Sequence, residues 1–222
     1  MPPDPDHPFD PEDIPFFFDN WCSLPWSPWV PFRAPKEEFR QIPKEPGLYR
    51  IRPAGRDFLM YIGGTGRTLH QRLHNLRMDL ENKKQMPWTD PHTEAPALWA
   101  FTDAEGYGYE CSASPLDASA GGRKGMESFL LYRYRQERGA SPLCNFGRFH
   151  LRYRMSTNRK EGVRGGRLAG DRKDNPAGRP GSAPLAAKGK PGDSTWMGLA
   201  WTAWQPLEAG TVPGVPAGAG LY

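Results

Sequence analysis

Cysteine is scarce in this 222-residue chain: Cys22, Cys111 and Cys144 stand far apart, with no Cys-x-x-Cys pair among them. An odd, scattered set argues against a disulfide framework and a zinc knuckle, and fits a reducing compartment. There is no apolar run near the length of a membrane span. The opening MPPDPDHPFDPEDIPFFF has no basic n-region and is broken by prolines, so no secretory leader is read there. The expectation is a cytoplasmic protein without a membrane partner. A nucleotide-binding loop is lacking too. In YIGGTGRTLHQRL (61–73) only Gly64 and Thr65 separate Gly63 from Gly66, and an arginine follows. A Walker loop needs four intervening residues and then Gly-Lys-Ser/Thr, and a dinucleotide fingerprint needs other spacing inside a βαβ unit.

Proline and glycine, by contrast, are abundant at 25 each, which implies that part of the length is not packed. The net charge of +4 is unevenly spread. Residues 1–46 hold nine acids against four Lys/Arg, and residues 154–195 hold ten Lys/Arg against four acids. Such asymmetry fits a polyanionic partner. Residues 1–46 read as an irregular Trp/Pro-rich strap, since aromatics at that density usually pack. Residues 154–195 contain no aromatic residue and read as a basic, flexible linker. Beyond it, WMGLAWTAWQPL (196–207) repeats the frame of WCSLPWSPWVPF (21–32), and VPAGAGLY (215–222) echoes IPKEPGLY (42–49). Three tryptophans in one register point to duplication, with 196–222 as the start of a second, incomplete repeat.

Residues 47–153 carry the globular pattern, read as β-β-α-β-β-α. GLYRIRP and FLMYIG form a hairpin around a turn at 53–57, which sets Tyr49 opposite Tyr61 on one sheet face. Leu69, Leu73, Leu76 and Leu80 give an amphipathic helix with Thr68 as N-cap. ALWAF and YGYECSA read as two more strands. KGMESFLLYRYRQERG reads as a second helix, with Gly139 at its C′ position. The expected class is α+β: a small antiparallel or mixed sheet of three to four strands, flanked by helices. On the helical wheel Arg72 falls at the edge of the leucine stripe. Glu127 falls between Leu131 and Tyr134, where an unpaired acid would be expensive to bury.

The words GLY at 47–49 and YIG at 61–63, followed in order by Arg72, Glu127 and Asn145, resemble the GIY-YIG nuclease family over about residues 47–149. The resemblance implies a metal-dependent endonuclease acting on DNA. Glu127 would hold Mg2+ or Mn2+, Arg72 would donate to the phosphate, and Tyr49 would take a proton from the attacking water. Tyr61 would hydrogen-bond that water or the phosphate, and Asn145 would anchor a loop or contact a phosphate oxygen, unless it is only a turn residue. Nucleic-acid contacts are expected at Gly63, Thr65, Arg67 and Arg148. A free phenol titrates near ~10, so base action near neutrality needs a downward shift of about three units, for which metal and arginine charge would be the source. The family's histidine four residues after the arginine is Leu76 here. His70 and His74 read as an exposed helix face rather than a metal pair, and His92 and His150 have no assigned role. Cutting both strands would call for a dimer or a tandem second domain. The competing reading is a catalytically inactive nucleic-acid-binding module, or a fragment of a tandem protein.

Overall fold

The computed structural model describes residues 14–81, 84–170, 189–190 and 192–204. The chain divides into two compact units, residues 1–183 and 184–222. In the first, β1 (Val30–Pro31), β2 (Gly47–Pro53), β3 (Tyr61–Thr65) and β4 (Tyr109–Pro115) form an antiparallel sheet ordered β1-β4-β2-β3. The helices are α1 (Lys36–Phe39), α2 (Leu69–Glu81), α3 (Ala95–Glu105) and α4 (Ala120–Arg138), and a small ribbon pairs β5 (Tyr153–Arg154) with β6 (Gly166–Arg167). The α+β class with a four-stranded antiparallel sheet is therefore present. No helix among the described residues is long and apolar enough to cross a membrane.

Alternation along β2 builds two cores at once. Tyr49 and Ile51 pack with Leu69, Leu73 and Leu76 of α2 and with α3. Leu48 joins Ile62, Leu130, Leu131 and Tyr134 of α4, and Phe16, Trp21 and Trp26 of the strap. Thr68 caps α2, its Oγ1 accepting from Gln71 N at 3.2 Å, and Gly139 ends α4 at φ 71°. Gly47 must lack a side chain, because a Cβ there would lie 2.1 Å from the Ser114 carbonyl oxygen.

Three expectations are corrected. ALWAF is not a strand but part of α3. Its residues are buried on every side, so the apolar run carries no period that separates helix from strand. The fourth strand is instead β1, inside the strap, which is thus an integral part of the fold. The hairpin register is shifted by two residues: Tyr49 faces Gly63, and Tyr61 faces Ile51. The turn is longer than expected because Leu59 and Met60 pair outward, their carbonyls accepting from Leu143 N and Cys144 N. A slip of two preserves the face, so Tyr49 and Tyr61 remain diagonal neighbours. Finally, the reading of 154–195 as a flexible linker fails for its first part. Residues 154–167 complete the ribbon, Thr89 N donates to the Thr157 carbonyl, and Arg164 stacks 3.8 Å over Trp88. Cation–π stacking and backbone pairing order a segment that has no aromatics of its own. Residues 171–188 and the 215–222 echo lie outside the described residues.

The strap also encloses a cation. Arg50 is fully buried, its guanidinium 4.3 Å from the Trp26 ring centroid and 4.7 Å from that of Trp29. It donates to the Phe16 carbonyl, the Phe18 carbonyl (2.8 Å) and Ser112 Oγ (3.3 Å). Burial pushes its pKa down to about 9.

Candidate functional site

The site lies where β3, the open end of the sheet, turns into α2. Tyr49 and Tyr61 stack with ring centroids 6.0 Å apart. Gly63 makes that stacking feasible, since a Cβ there would sit 2.6 Å from Tyr61 Cε1 and 2.8 Å from the Tyr49 hydroxyl. Its expected role as a nucleic-acid contact is replaced by this one: it is buried under two phenols. Arg72, one helical turn into α2, donates through Nε to the Tyr49 hydroxyl at 3.2 Å.

The partner that closes this cluster is Glu94, which the sequence reading missed. The Tyr49 hydroxyl donates to Glu94 Oε1 at 2.7 Å, and Arg72 Nη2 donates to both carboxylate oxygens at 2.9 and 3.0 Å. The Glu94 side chain is 0% exposed and that of Arg72 is 20% exposed. Arg72 Nη1 donates to the Pro91 carbonyl at 3.2 Å. Of the five guanidinium hydrogens, one on Nη1 remains for a ligand. Glu94 went unseen because it precedes the helix that was read as a strand. An acid ahead of Pro96 at a helix start was the available signal.

Burial, Glu94 and Tyr61 push the Tyr49 phenol well above its ordinary pKa, and Arg72 only partly offsets them. Burial, Glu94 and Glu127 likewise push Tyr61 up. The expected downward shift of Tyr49 is therefore not what this environment produces.

His92 shares the loop of Glu94. It is 2% exposed, and neither ring nitrogen has a hydrogen-bond partner among the described residues. Its Nε2 lies 3.9 Å from Asp79 Oδ2. Burial, with help from Arg72 and Arg67, lowers its pKa to about 4. The unfolded imidazole takes up its proton near pH ~6.5, so between those values the unfolded state binds more protons and folding weakens as pH falls. Lowering the pH from 7 to 4 is expected to remove roughly 3 kcal/mol through this group alone. The check is urea unfolding at both pH values, comparing wild type with His92→Asn, whose loss should be smaller by about that amount.

Glu127 stands on α4, against the other face of β3. Its Oε2 is 3.2 Å from where a Gly64 Cβ would be, so the bare glycine lets the carboxylate close on the strand, and its charge reaches the Tyr61 phenol. Lys124 Nζ donates to Glu127 Oε1 at 2.9 Å. Thus Tyr49, Tyr61 and Arg72 form one bonded cluster, with Glu127 across the glycine edge from it.

Asn145 does something other than contact phosphate. Its Oδ1 accepts from Ile62 N at 3.0 Å and its Nδ2 donates to the Ile62 carbonyl at 2.8 Å. The whole amide is used in pairing the edge of β3, so Asn145 is a positioning residue. Together with Leu143 and Cys144 it covers residues 59–62 of that edge and stops short of Gly63–Thr65. Arg148 is also corrected: its Nη1 is held by the Ser141 (2.6 Å) and Pro142 (3.3 Å) carbonyls. Thr65 Oγ1 accepts from Arg67 N at 3.0 Å, and Arg67 itself is exposed. His70 and His74 stack on each other and against Phe39. The ribbon supports the loop of His92 and Glu94 from behind, Arg159 N donating to Asp90 Oδ1 at 2.6 Å.

Among the described residues no group of three or more His, Cys, Asp or Glu could hold a metal ion. Glu127 could serve only as a lone carboxylate ligand. That fits a hard cation which keeps most of its water, and Gly64 leaves the backbone beside the carboxylate bare.

What the fold defines is an α+β domain with a four-stranded antiparallel sheet. Compared with known proteins, the chain matches no family model, no curated protein and no solved structure.

Proposed function

We propose that this chain is a metal-dependent endonuclease that hydrolyses DNA phosphodiester bonds one strand at a time. The observation that carries the reading is the cluster of Arg72 on Tyr49, with Tyr61 stacked beside it and Glu127 across the open Gly63–Thr65 edge. Backbone without side chains lets a nucleic-acid strand approach closely, and exposed Arg67 and Lys124 add positive charge at its rim.

Each group has a task that its surroundings support. Glu127 would hold Mg2+ or Mn2+. The chemistry such an ion supplies is neutralisation of charge on the scissile phosphate and the leaving oxygen. Arg72, fixed as a rigid fork by Glu94 and the Pro91 carbonyl, offers its remaining Nη1 hydrogen to a phosphate oxygen. Tyr49 need not ionise. Its oxygen accepts a proton from the attacking water while its hydroxyl proton passes to Glu94 Oε1, so the phenol stays neutral and its raised pKa is no obstacle. Tyr61 orients the water or the phosphate.

This relay predicts that Glu94→Gln, which keeps the shape but cannot take the proton, slows nicking by about a hundredfold or more. DNA affinity should stay within a fewfold, as read by fluorescence anisotropy. Unchanged turnover would remove Glu94 from the mechanism.

One observation favours a second reading, a DNA-binding module without turnover: Glu94 already neutralises Arg72. The two are separated by measuring binding and strand cleavage on the same labelled duplex, with Mg2+, with Mn2+ and with chelator. The nuclease cleaves only with metal. The module binds with a steep salt dependence and never cleaves.

A further inference from the structure

The sequence duplication is also a structural one. With a constant offset of 175 residues, Trp21–Ser23 and Trp196–Gly198 form the same turn, each with a left-handed second residue: Cys22 at φ 54°, ψ 35° and Met197 at φ 58°, ψ 23°. The backbone bonds coincide. Phe18 N to the Pro15 carbonyl (3.0 Å) matches Asp193 N to the Lys190 carbonyl (3.1 Å), and Trp26 N to the Asp19 carbonyl matches Trp201 N to the Ser194 carbonyl, both 2.8 Å. The indole bonds coincide as well. Trp26 Nε1 donates to the Trp21 carbonyl at 2.9 Å, and Trp201 Nε1 to the Trp196 carbonyl at 2.8 Å. The paired rings lie 6.0 Å apart at 33° in the first copy and 5.6 Å apart at 29° in the second.

In the first copy this turn has a definite job. Trp21, Trp26 and Trp29 surround the guanidinium of Arg50, and the Phe18 carbonyl accepts from it. In the second copy Trp196, Trp201 and Trp204 occupy the matching positions, and Asp193 takes the place of Phe18. Trp204 is 85% exposed. Residues 191–222 contain neither arginine nor lysine, so that stretch cannot supply a guanidinium of its own.

We propose that Trp196, Trp201 and Trp204 form a second guanidinium clamp, which binds an arginine side chain presented in trans on an extended segment of another protein chain. The preference for arginine over lysine follows from the clamp's shape. A planar guanidinium stacks on indole faces and still directs N–H groups in its plane at a carbonyl, here that of Asp193, whereas an ammonium does not stack. The Asp193 carboxylate adds a negative charge that Phe18 does not have. Nothing in this inference depends on the nuclease reading.

The test uses the full chain with 15N-labelled tryptophan and, as probe, the acetylated and amidated peptide Gly-Leu-Tyr-Arg-Ile, the sequence of residues 47–51 that carries Arg50. Titration should shift the indole signals of Trp196, Trp201 and Trp204 saturably, leaving those of Trp21 and Trp26 in place because Arg50 fills their clamp. Citrulline in place of the peptide's arginine should weaken binding about tenfold or more, and Trp201→Ala should do the same. No saturable shift would overturn the proposal. Equal affinity for the citrulline peptide would overturn it too, because it would show mere apolar adhesion. The peptide comparison stands whether or not Trp201→Ala folds.

Discussion

Arg72→Ala should cost about 3–5 kcal/mol of folding stability, well beyond what loss of a surface arginine would cost. The reason is Glu94. Its carboxylate is fully enclosed, and Arg72 supplies a bidentate contact to it, with only the Tyr49 hydroxyl beside it. Removing the arginine leaves a buried charge with one neutral donor. The double variant Arg72→Met/Glu94→Leu should recover most of the loss, because exchanging a whole buried pair for apolar groups is often close to neutral. Urea midpoints at pH 7 for the two single variants and the double give the coupling, expected at a few kcal/mol. A loss under about 1 kcal/mol for Arg72→Ala would mean that the pair behaves like a solvent-exposed one. None of these variants should nick DNA, whatever its stability.

The second large effect is on turnover rather than folding. Glu127→Gln should lower nicking by about a thousandfold or more, since an ion's charge stabilisation of several kcal/mol is lost with its only carboxylate ligand. Folding should scarcely notice. The one ion pair that Glu127 makes among the described residues is with Lys124, whose side chain is 73% exposed, and such a pair contributes a few tenths of a kcal/mol. DNA affinity should hold or rise slightly, because a negative charge leaves the rim. Lys124→Ala provides the control: it breaks the same pair and should leave the rate within a fewfold. Thermal unfolding, anisotropy and nicking on one preparation separate the three quantities. If Glu127→Gln nicks like wild type, the carboxylate has no part in the chemistry.

How much of this was legible in the chain depends on the kind of signal each residue leaves. Leu69, Leu73 and Leu76 repeat at helical spacing beside a polar face, so α2 could be located with its cap at Thr68. Tyr49 and Tyr61 reach one sheet face despite the shifted register, because a strand's period of two forgives an even slip. The helix α3 was not legible, since Ala95 to Ala100 are buried all round and a helix with no polar face loses its period. Glu94 and His92 were hidden with it. Asn145 and Arg148 show a different limit. The residue types were polar and correctly located, but whether an amide meets a phosphate or the Ile62 backbone is decided by tertiary contacts. The same holds for Arg164, whose stacking on Trp88 orders a segment that composition alone assigns to a linker.

The central claim, a single site that cuts one strand with the help of a divalent ion, is tested most directly by a time course on supercoiled plasmid with Mg2+ or Mn2+. The account predicts that open circles accumulate before any linear product and that chelator stops the reaction. It also predicts that the Glu127→Gln protein, bound to the same DNA, leaves the plasmid supercoiled. Plasmid that stays supercoiled with wild-type protein at every metal concentration, despite saturated binding, would contradict it.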